Sequence, residues 1–412
     1  MRRILIVGAG QCGLQLGLGL LAAGYEVTIM SARTPEEIRA GWPTSTQAMF
    51  EQALNTERAQ GLNLWDDPAP KINGMHIAVA MPPGTMAMSI IAHLNSPGQS
   101  TDQRVKFPAW LELFEERGGT VIYQGVTTGD LDGLTALLRY DLTIVAAGKG
   151  ELTALFDRDV DRSPFTVPQR GLSVAYVHGL APNPSYPERS GAFNGIPGLG
   201  EMFAIPGYTL SGECDILFFE AVPGSPADIW QKRLPPDEHL SLMVKQAREY
   251  APWLGERCDN VELTDGKATL SGRYTPVVRR PVAQLPSGGL VLGAGDVVIS
   301  NDPVTGQGAN GAAKMAAAYL AAIVAHGDKP FDREWMERTF ADFWETSGQW
   351  ATMWTNGMLG EMPEHAARIL MKATTHTPTA DRFVNGFSDP SDFQHFFFTP
   401  EAADAYLASI EE

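Results

Sequence analysis

The chain has 412 residues, enough for two domains or one large one, so a short peptide, a fibre and a disordered tail are excluded. Its 48 acidic against 31 basic residues leave a net charge of −17, which repels phosphate backbones and anionic lipid and argues against nucleic acid and membrane surfaces as partners. Three cysteines, Cys12, Cys214 and Cys258, give neither a closed disulfide framework nor metal-ligand spacing; a reducing cytoplasm fits them, and no metal site is expected.

The opening residues reach glycine after only four apolar positions, too few for a signal-peptide core, and no apolar run approaches the roughly 18 residues of a membrane span. Residues 4–7 (Ile-Leu-Ile-Val) read as a central parallel strand. Gly8-Ala9-Gly10-Gln11-Cys12-Gly13 follows, then a helix over residues 14–23 closed by Gly24, and a second strand over residues 25–30. Strand, glycine turn, helix, strand is the unit in which a dinucleotide pyrophosphate sits at a helix N-terminus. Gly8, Gly10 and Gly13 serve the tight turn, the approach of backbone to phosphate oxygens and the packing of helix on strand. An acidic residue normally ends the second strand to hold the ribose. Here the strand runs into Ser31-Ala32-Arg33, which predicts a loosely held dinucleotide with Ser31 and Arg33 at its edge.

A helix is expected over residues 105–117, a strand over 119–123, and a further sheet strand over 141–148. Residues 170–284 change character, with strand-like runs at 172–177 and 216–220 between Pro- and Gly-rich loops, and predict an inserted, mostly antiparallel substrate domain. The chain returns at Leu290-Val291-Leu292-Gly293-Ala294-Gly295-Asp296, then Asp302-Pro303-Val304-Thr305-Gly306-Gln307-Gly308-Ala309-Asn310-Gly311 and an Ala-rich helix. Asp296 is placed to accept from ribityl hydroxyls. The N–H groups of Gly308, Ala309 and Asn310 are placed to face a flavin pyrimidine edge, where a helix dipole favours the negative charge of a reduced ring. The remaining residues, 331–412, read as helical, with Trp335, Trp344, Trp350 and Trp354 as core or interface.

Two such fingerprints in this order resemble flavoprotein monooxygenases of the para-hydroxybenzoate hydroxylase type. The central Asp-Gly segment that serves both FAD and NAD(P)H in single-component members is absent: the stretch reads Ala146-Ala147-Gly148-Lys149-Gly150-Glu151. With Ser163-Pro164-Phe165, Pro168-Gln169-Arg170, Asp302-Pro303-Val304, Gly306-Gln307-Gly308-Ala309-Asn310 and Trp354-Thr355-Asn356, the chain is similar to the oxygenase component of two-component styrene and indole monooxygenases, group E of that class. The resemblance implies an α/β fold: a Rossmann-like FAD-binding domain (1–169 plus 285–330, with 42–105 partly lining the cavity), a substrate-binding β-sheet domain (170–284) and a helical C-terminal region (331–412). It also implies reduced, diffusible FAD supplied by an NADH-dependent flavin reductase, O2 and a small aromatic substrate as partners, and a homodimer.

Within that family the loop Gly41-Trp42-Pro43-Thr44-Ser45-Thr46-Gln47-Ala48-Met49 lines the cavity. Styrene-type members carry Asn, Val and His where this chain has Ser45, Gln47 and Met49, and the Ser-Gln-Met set and Ile72 resemble the indole type. Ser45, Thr46, Gln47 and Met49 are therefore the expected catalytic-cavity residues. Gly8, Ala9, Gly10, Gly13, Ser31, Arg33, Arg104, Asp296, Pro303, Gly306, Gln307, Gly308, Ala309 and Asn310 are the expected cofactor residues. The implied activity is epoxidation of an aromatic-conjugated alkene, indole first, then styrene-type substrates and sulfides. The alternatives are a styrene epoxidase, a single-component NAD(P)H-dependent aromatic hydroxylase, or a non-catalytic FAD-binding protein.

Overall fold

The computed structural model describes residues 2–410 apart from Arg139 and Pro187. Its first sheet runs, edge to edge, Val282–Gln284, Leu290–Gly293, Leu142–Val145, Arg3–Val7, Glu26–Ser31, Thr120–Tyr123. Only the Val282–Gln284 pairing is antiparallel. Ile4 to Val7 are buried, as expected of a central strand covered on both faces. The helix Gln11–Ala22 begins three residues earlier than the apolar pattern suggests, because Gly10 already takes the cap position. It crosses the Ala-rich helix Gln307–His326 closely: a Cβ at Gly19 would lie 2.5 Å from Leu320 Cδ2.

The second sheet contains the strands Gly171–His178, Gly212–Ala221, Gly200–Thr209 and Gly191–Ile196, all antiparallel to their neighbours in that order. The sheet continues into Ile72–Ala80, parallel to Gly191–Ile196, and into the long Met86–Ser100. Residues 72–100, grouped by the sequence with the first domain, thus hydrogen-bond into the second sheet. Ile72–Ala80 and Met86–Ser100 pair with each other locally, but the strand that carries them into the sheet, Gly191–Ile196, lies more than a hundred residues away, and no local signal records that pairing.

One face of this sheet buries Val174, Tyr176, Phe203, Ile216 and Phe218 together with Val304, Trp354 and Phe393. The opposite face packs Leu217 and Phe219 against Met243 and Ala247 of the helix Pro236–Tyr250. Beyond residue 331 the chain is helical, with a π turn at Trp344–Gly348 and an aromatic knot in which Trp354 meets Phe387 edge-on at 4.6 Å. No helix among the described residues is long and apolar enough to cross a membrane.

Candidate functional site

The first strand delivers the chain to Gly8, whose φ of +120° and whose would-be Cβ, 2.6 Å from the Ala146 carbonyl, both demand glycine. A Cβ at Gly13 would lie 2.1 Å from the Gly8 oxygen. Gly10 differs: nothing lies within 4 Å of its Cβ position. Open space therefore faces a helix N-terminus that carries no side-chain cap and no acidic residue in its first turn. Unpaired N–H groups and the positive end of the helix dipole meet in that space, which suits an anion. Ser31, at the end of the second strand, is folded back onto its own loop, its hydroxyl donating to the Arg33 carbonyl at 2.6 Å. The Arg33 side chain is exposed and makes no ion pair among the described residues.

A second opening lies where the strand Leu290–Gly293 ends. Asp296 is solvent-accessible inside a cleft walled by Gly295, Gln307, Gly308, Gly311 and Met315. The surrounding protein pushes its carboxyl up to about 6, opposed by the charge of Lys149. Gly148 is where it is because a Cβ there would lie 2.5 Å from that of Asp296. The Cys12 thiol on the neighbouring helix is held neutral, pushed up to about 12 by burial and by Asp296. A neighbouring cavity of about 300 Å³, lined by Gln52, Thr56 and Asp389, meets the cleft at Lys314, Phe343 and Ser347.

The turn Pro303–Thr305 is capped by the Asp302 carboxylate, which accepts from Val304 N at 3.2 Å, and Gly306 follows at φ +65°. The helix Gln307–His326 then starts with no side-chain cap and no first-turn acid. The side chains here are occupied. Gln307 donates to the Thr305 and Phe387 carbonyls at 3.2 and 3.0 Å. Asn310 donates to the Ala48 and Gly306 carbonyls, both at 2.8 Å, and accepts from Phe50 N at 2.9 Å. It is the backbone of Gln307, Gly308 and Ala309 that is left to face a ligand, and a Cβ at Gly308 would meet nothing within 4 Å.

Asn310 also binds the loop of residues 41–49 to this helix start, so the two sets of residues singled out from sequence meet in space. In that loop Gln47 has φ +34°, a strained value for a residue with a Cβ, and is buried. The Tyr176 hydroxyl donates to the Ser45 carbonyl at 2.6 Å, which spends its only proton. It can therefore only accept from the Gln47 amide, whose Nε2 lies 3.3 Å away. That fixes the amide orientation and leaves Gln47 Oε1 buried without a partner among the described residues. Ser45 Oγ accepts from Gln47 N at 3.2 Å. The Thr46 carbonyl accepts from Ser100 Oγ at 2.6 Å, while its half-buried hydroxyl bonds to nothing among the described residues.

Two residues have other tasks than those expected. Met49 is packed among Ala53, Leu54 and Ala313, and its sulfur sits 3.3 Å from Lys106 Nζ, itself paired with the buried Glu57; Met49 is floor beneath the loop rather than cavity wall. Arg104 is buried, with its guanidinium engaged by Asp102 at 2.8 Å, Asp265 at 3.0 Å and Thr209 at 3.3 Å. The helix cap Asp102 stands only two residues away and captures it, so Arg104 ties the helix Gln103–Glu116 to the second sheet rather than reaching a cofactor. Trp42 stacks under the Arg233 guanidinium at 3.6 Å. Tyr176 carries no signal in the sequence beyond its place in the strand-like run 172–177.

A Rossmann-like sheet with two uncapped helix starts, joined to a second sheet over an aromatic core, is an α/β fold of the FAD-binding flavoprotein type. The chain superposes on a flavin-dependent brominase with TM-score 0.65 at 14% identity, covering 98% of this chain and 99% of that one. On the tetrameric form of 2-methyl-3-hydroxypyridine-5-carboxylic acid oxygenase the TM-score is 0.60 at 16% identity, covering 92% of this chain and 95% of that one. Residues 148–257 match the family model described as "Styrene monooxygenase A putative substrate binding domain". Over 411 residues, 97% of this chain and 96% of the relative, the sequence is 32% identical to styrene monooxygenase StyA of Pseudomonas fluorescens. The chain belongs to the styrene monooxygenase family, and its cofactor is FAD.

Proposed function

We propose that this chain is the oxygenase component of a two-component system, taking FAD already reduced by a separate NADH-dependent reductase and epoxidising an aromatic-conjugated alkene, with indole preferred to styrene. FAD is held by its pyrophosphate at the open space over Gly10, by its ribityl chain at Asp296 and by its pyrimidine edge at the backbone of Gln307, Gly308 and Ala309, one residue earlier than the sequence placed it. The fit rests on the two glycine positions that open onto free space and on an exposed carboxyl that lines the cleft. When bound, the reduced cofactor supplies the electrons that activate O2 for transfer of one oxygen atom.

The protein's part is to orient and to exclude water. The inner face of the second sheet, with Tyr176, Phe203, Phe218 and Trp354, closes over the loops at 45–49 and 302–306. The observation that carries the preference for indole is Gln47 Oε1. A buried acceptor without a donor costs about 1–3 kcal/mol, recovered when an indole N–H fills it and not when styrene does. That difference corresponds to about 5- to 150-fold in kcat/KM.

With a flavin reductase, indole should be converted to indoxyl and, in air, to blue indigo. Gln47→Val should reduce the indole-to-styrene ratio of kcat/KM by at least about 5-fold and leave N-methylindole unaffected. An unchanged ratio removes Gln47 as the acceptor. The relatives' name favours styrene as a second substrate, and styrene oxide without any indoxyl would make the chain a styrene epoxidase.

A further inference from the structure

On the face of the second sheet that looks toward the turn Pro303–Thr305, two carboxylates stand directly opposite each other: Glu201 pairs with Glu220 across the strands Gly200–Thr209 and Gly212–Ala221. Glu201 is satisfied, because Arg170 holds it bidentately at 2.7 and 2.8 Å and gives its remaining contact to the Gln169 carbonyl at 3.0 Å. Glu220 is 2% exposed, and neither of its carboxyl oxygens has a hydrogen-bond partner among the described residues. Its neighbour on the other side is Leu172. The third carboxyl of the group is Asp302, equally buried, whose oxygen caps the turn before Gly306. Tyr274, donating to the Asn301 carbonyl, completes the titratable groups facing it. Three buried carboxyls thus share one guanidinium, already saturated by one of them, and an uncompensated charge there is costly.

We infer that Glu220 is a positioning residue: a carboxylic acid kept neutral behind the Asp302–Gly306 turn, whose proton lets that turn hold the start of the helix Gln307–His326 in shape for the flavin. Burial and the charges of Asp302 and Glu201 raise Glu220 well above the ordinary carboxyl range, against the pull of Arg170. Asp302 is itself pushed up to about 6 by burial, so near neutral pH it is the one of the two that ionises. Losing the Glu220 proton places a second charge against Asp302, and the least costly relief is to release the cap on Val304 N. The inference rests on the placement of the pyrimidine edge proposed above.

The test is the dissociation constant of FAD, read by fluorescence between about pH 6 and 9, for wild type and Glu220→Gln. Above about pH 7, clear of the Asp296 titration near 6, wild type should bind more weakly toward the alkaline end, by about tenfold for each pH unit beyond the Glu220 titration, while E220Q, a permanent neutral isostere, should stay flat. Infrared spectra of the wild type at neutral pH should show a protonated carboxyl stretch that disappears as the affinity falls; this needs no variant. An E220Q slope equal to that of wild type, a flat wild type, or no protonated carboxyl overturns the inference. Gly308→Leu separates the two layers. Full FAD affinity in that variant refutes the placement and this inference with it, whereas lost affinity alongside a sloping E220Q refutes only the role of Glu220.

Discussion

Replacing Gly10 and Gly13 by alanine, one at a time, should separate folding from cofactor binding within four residues. At Gly13 the new methyl carbon would lie 2.1 Å from the Gly8 oxygen, a backbone atom that cannot rotate aside. Strand and helix must part, which costs about 3 kcal/mol at the upper end of overpacking and lowers Tm by several degrees, about 6–12 °C on the scale of mid-sized domains. At Gly10 the same methyl enters free space, with φ −94° and ψ −171° open to any residue, so the apoprotein should stay within about 0.5 kcal/mol of wild type. That space is where the pyrophosphate approaches the backbone. The methyl should weaken FAD by about 1–3 kcal/mol, about 5- to 150-fold in Kd. Scanning calorimetry of the apoproteins and fluorescence titration with FAD give both numbers. A Gly10→Ala protein that loses Tm but keeps its FAD affinity would refute the reasoning.

Asp296→Asn should weaken FAD at neutral pH, and wild-type affinity should itself decline as pH falls through about 6, where the carboxylate that accepts ribityl hydroxyls becomes protonated. For the apoprotein the sign reverses. A carboxyl raised to about 6 in the fold stabilises it below the ordinary carboxyl range and loses that contribution as pH rises through 6, so D296N should gain relative to wild type over that interval in melts taken at several pH values. Asn310→Ala leaves Phe50 N, Ala48 O and Gly306 O without their partner and should cost about 2–4 kcal/mol in denaturant unfolding, with FAD affinity falling as the loop at 45–49 separates from the helix start. Tyr176→Phe removes the group that orients the Gln47 amide; the indole-to-styrene ratio should drop toward that of Gln47→Val while Tm changes by about 1–2 kcal/mol equivalent.

Five of the six strands of the first sheet were legible as short apolar runs, and glycine at 8, 13 and 148 is demanded by contacts of the kind a fingerprint encodes; the sixth, Val282–Gln284, lies in the stretch the sequence assigned to the second domain and joins the first sheet by an antiparallel pairing with Leu290–Gly293. The second sheet was legible only in part: the runs at 172–177 and 216–220 are rich in apolar, strand-forming residues between Pro- and Gly-rich loops, but Ile72–Ala80 joins Gly191–Ile196 through a parallel pairing that leaves no local trace. The cavity loop was located by resemblance, and its internal wiring was not readable, since the Tyr176 hydroxyl that orients Gln47 lies 129 residues away. Arg104 and Met49 show how residue type misleads. A cation near a helix start suggests phosphate until the structure shows Asp102 and Asp265 holding it, and a methionine in a cavity loop suggests a wall until Ala53, Leu54 and Ala313 enclose it. Glu220 carried no signal in the sequence, because its meaning lies in the absence of partners around it.

The most direct test of the whole account is a single turnover without any reductase or nicotinamide. The purified chain is mixed anaerobically with chemically reduced FAD and indole, then exposed to isotopically labelled O2, and the product is analysed by mass spectrometry. The account predicts one labelled oxygen atom per indole unit, one in indoxyl and two in its dimer, with no NADH required. Absence of labelled product under these conditions, together with turnover that appears only when NADH is added to the isolated chain, would contradict it.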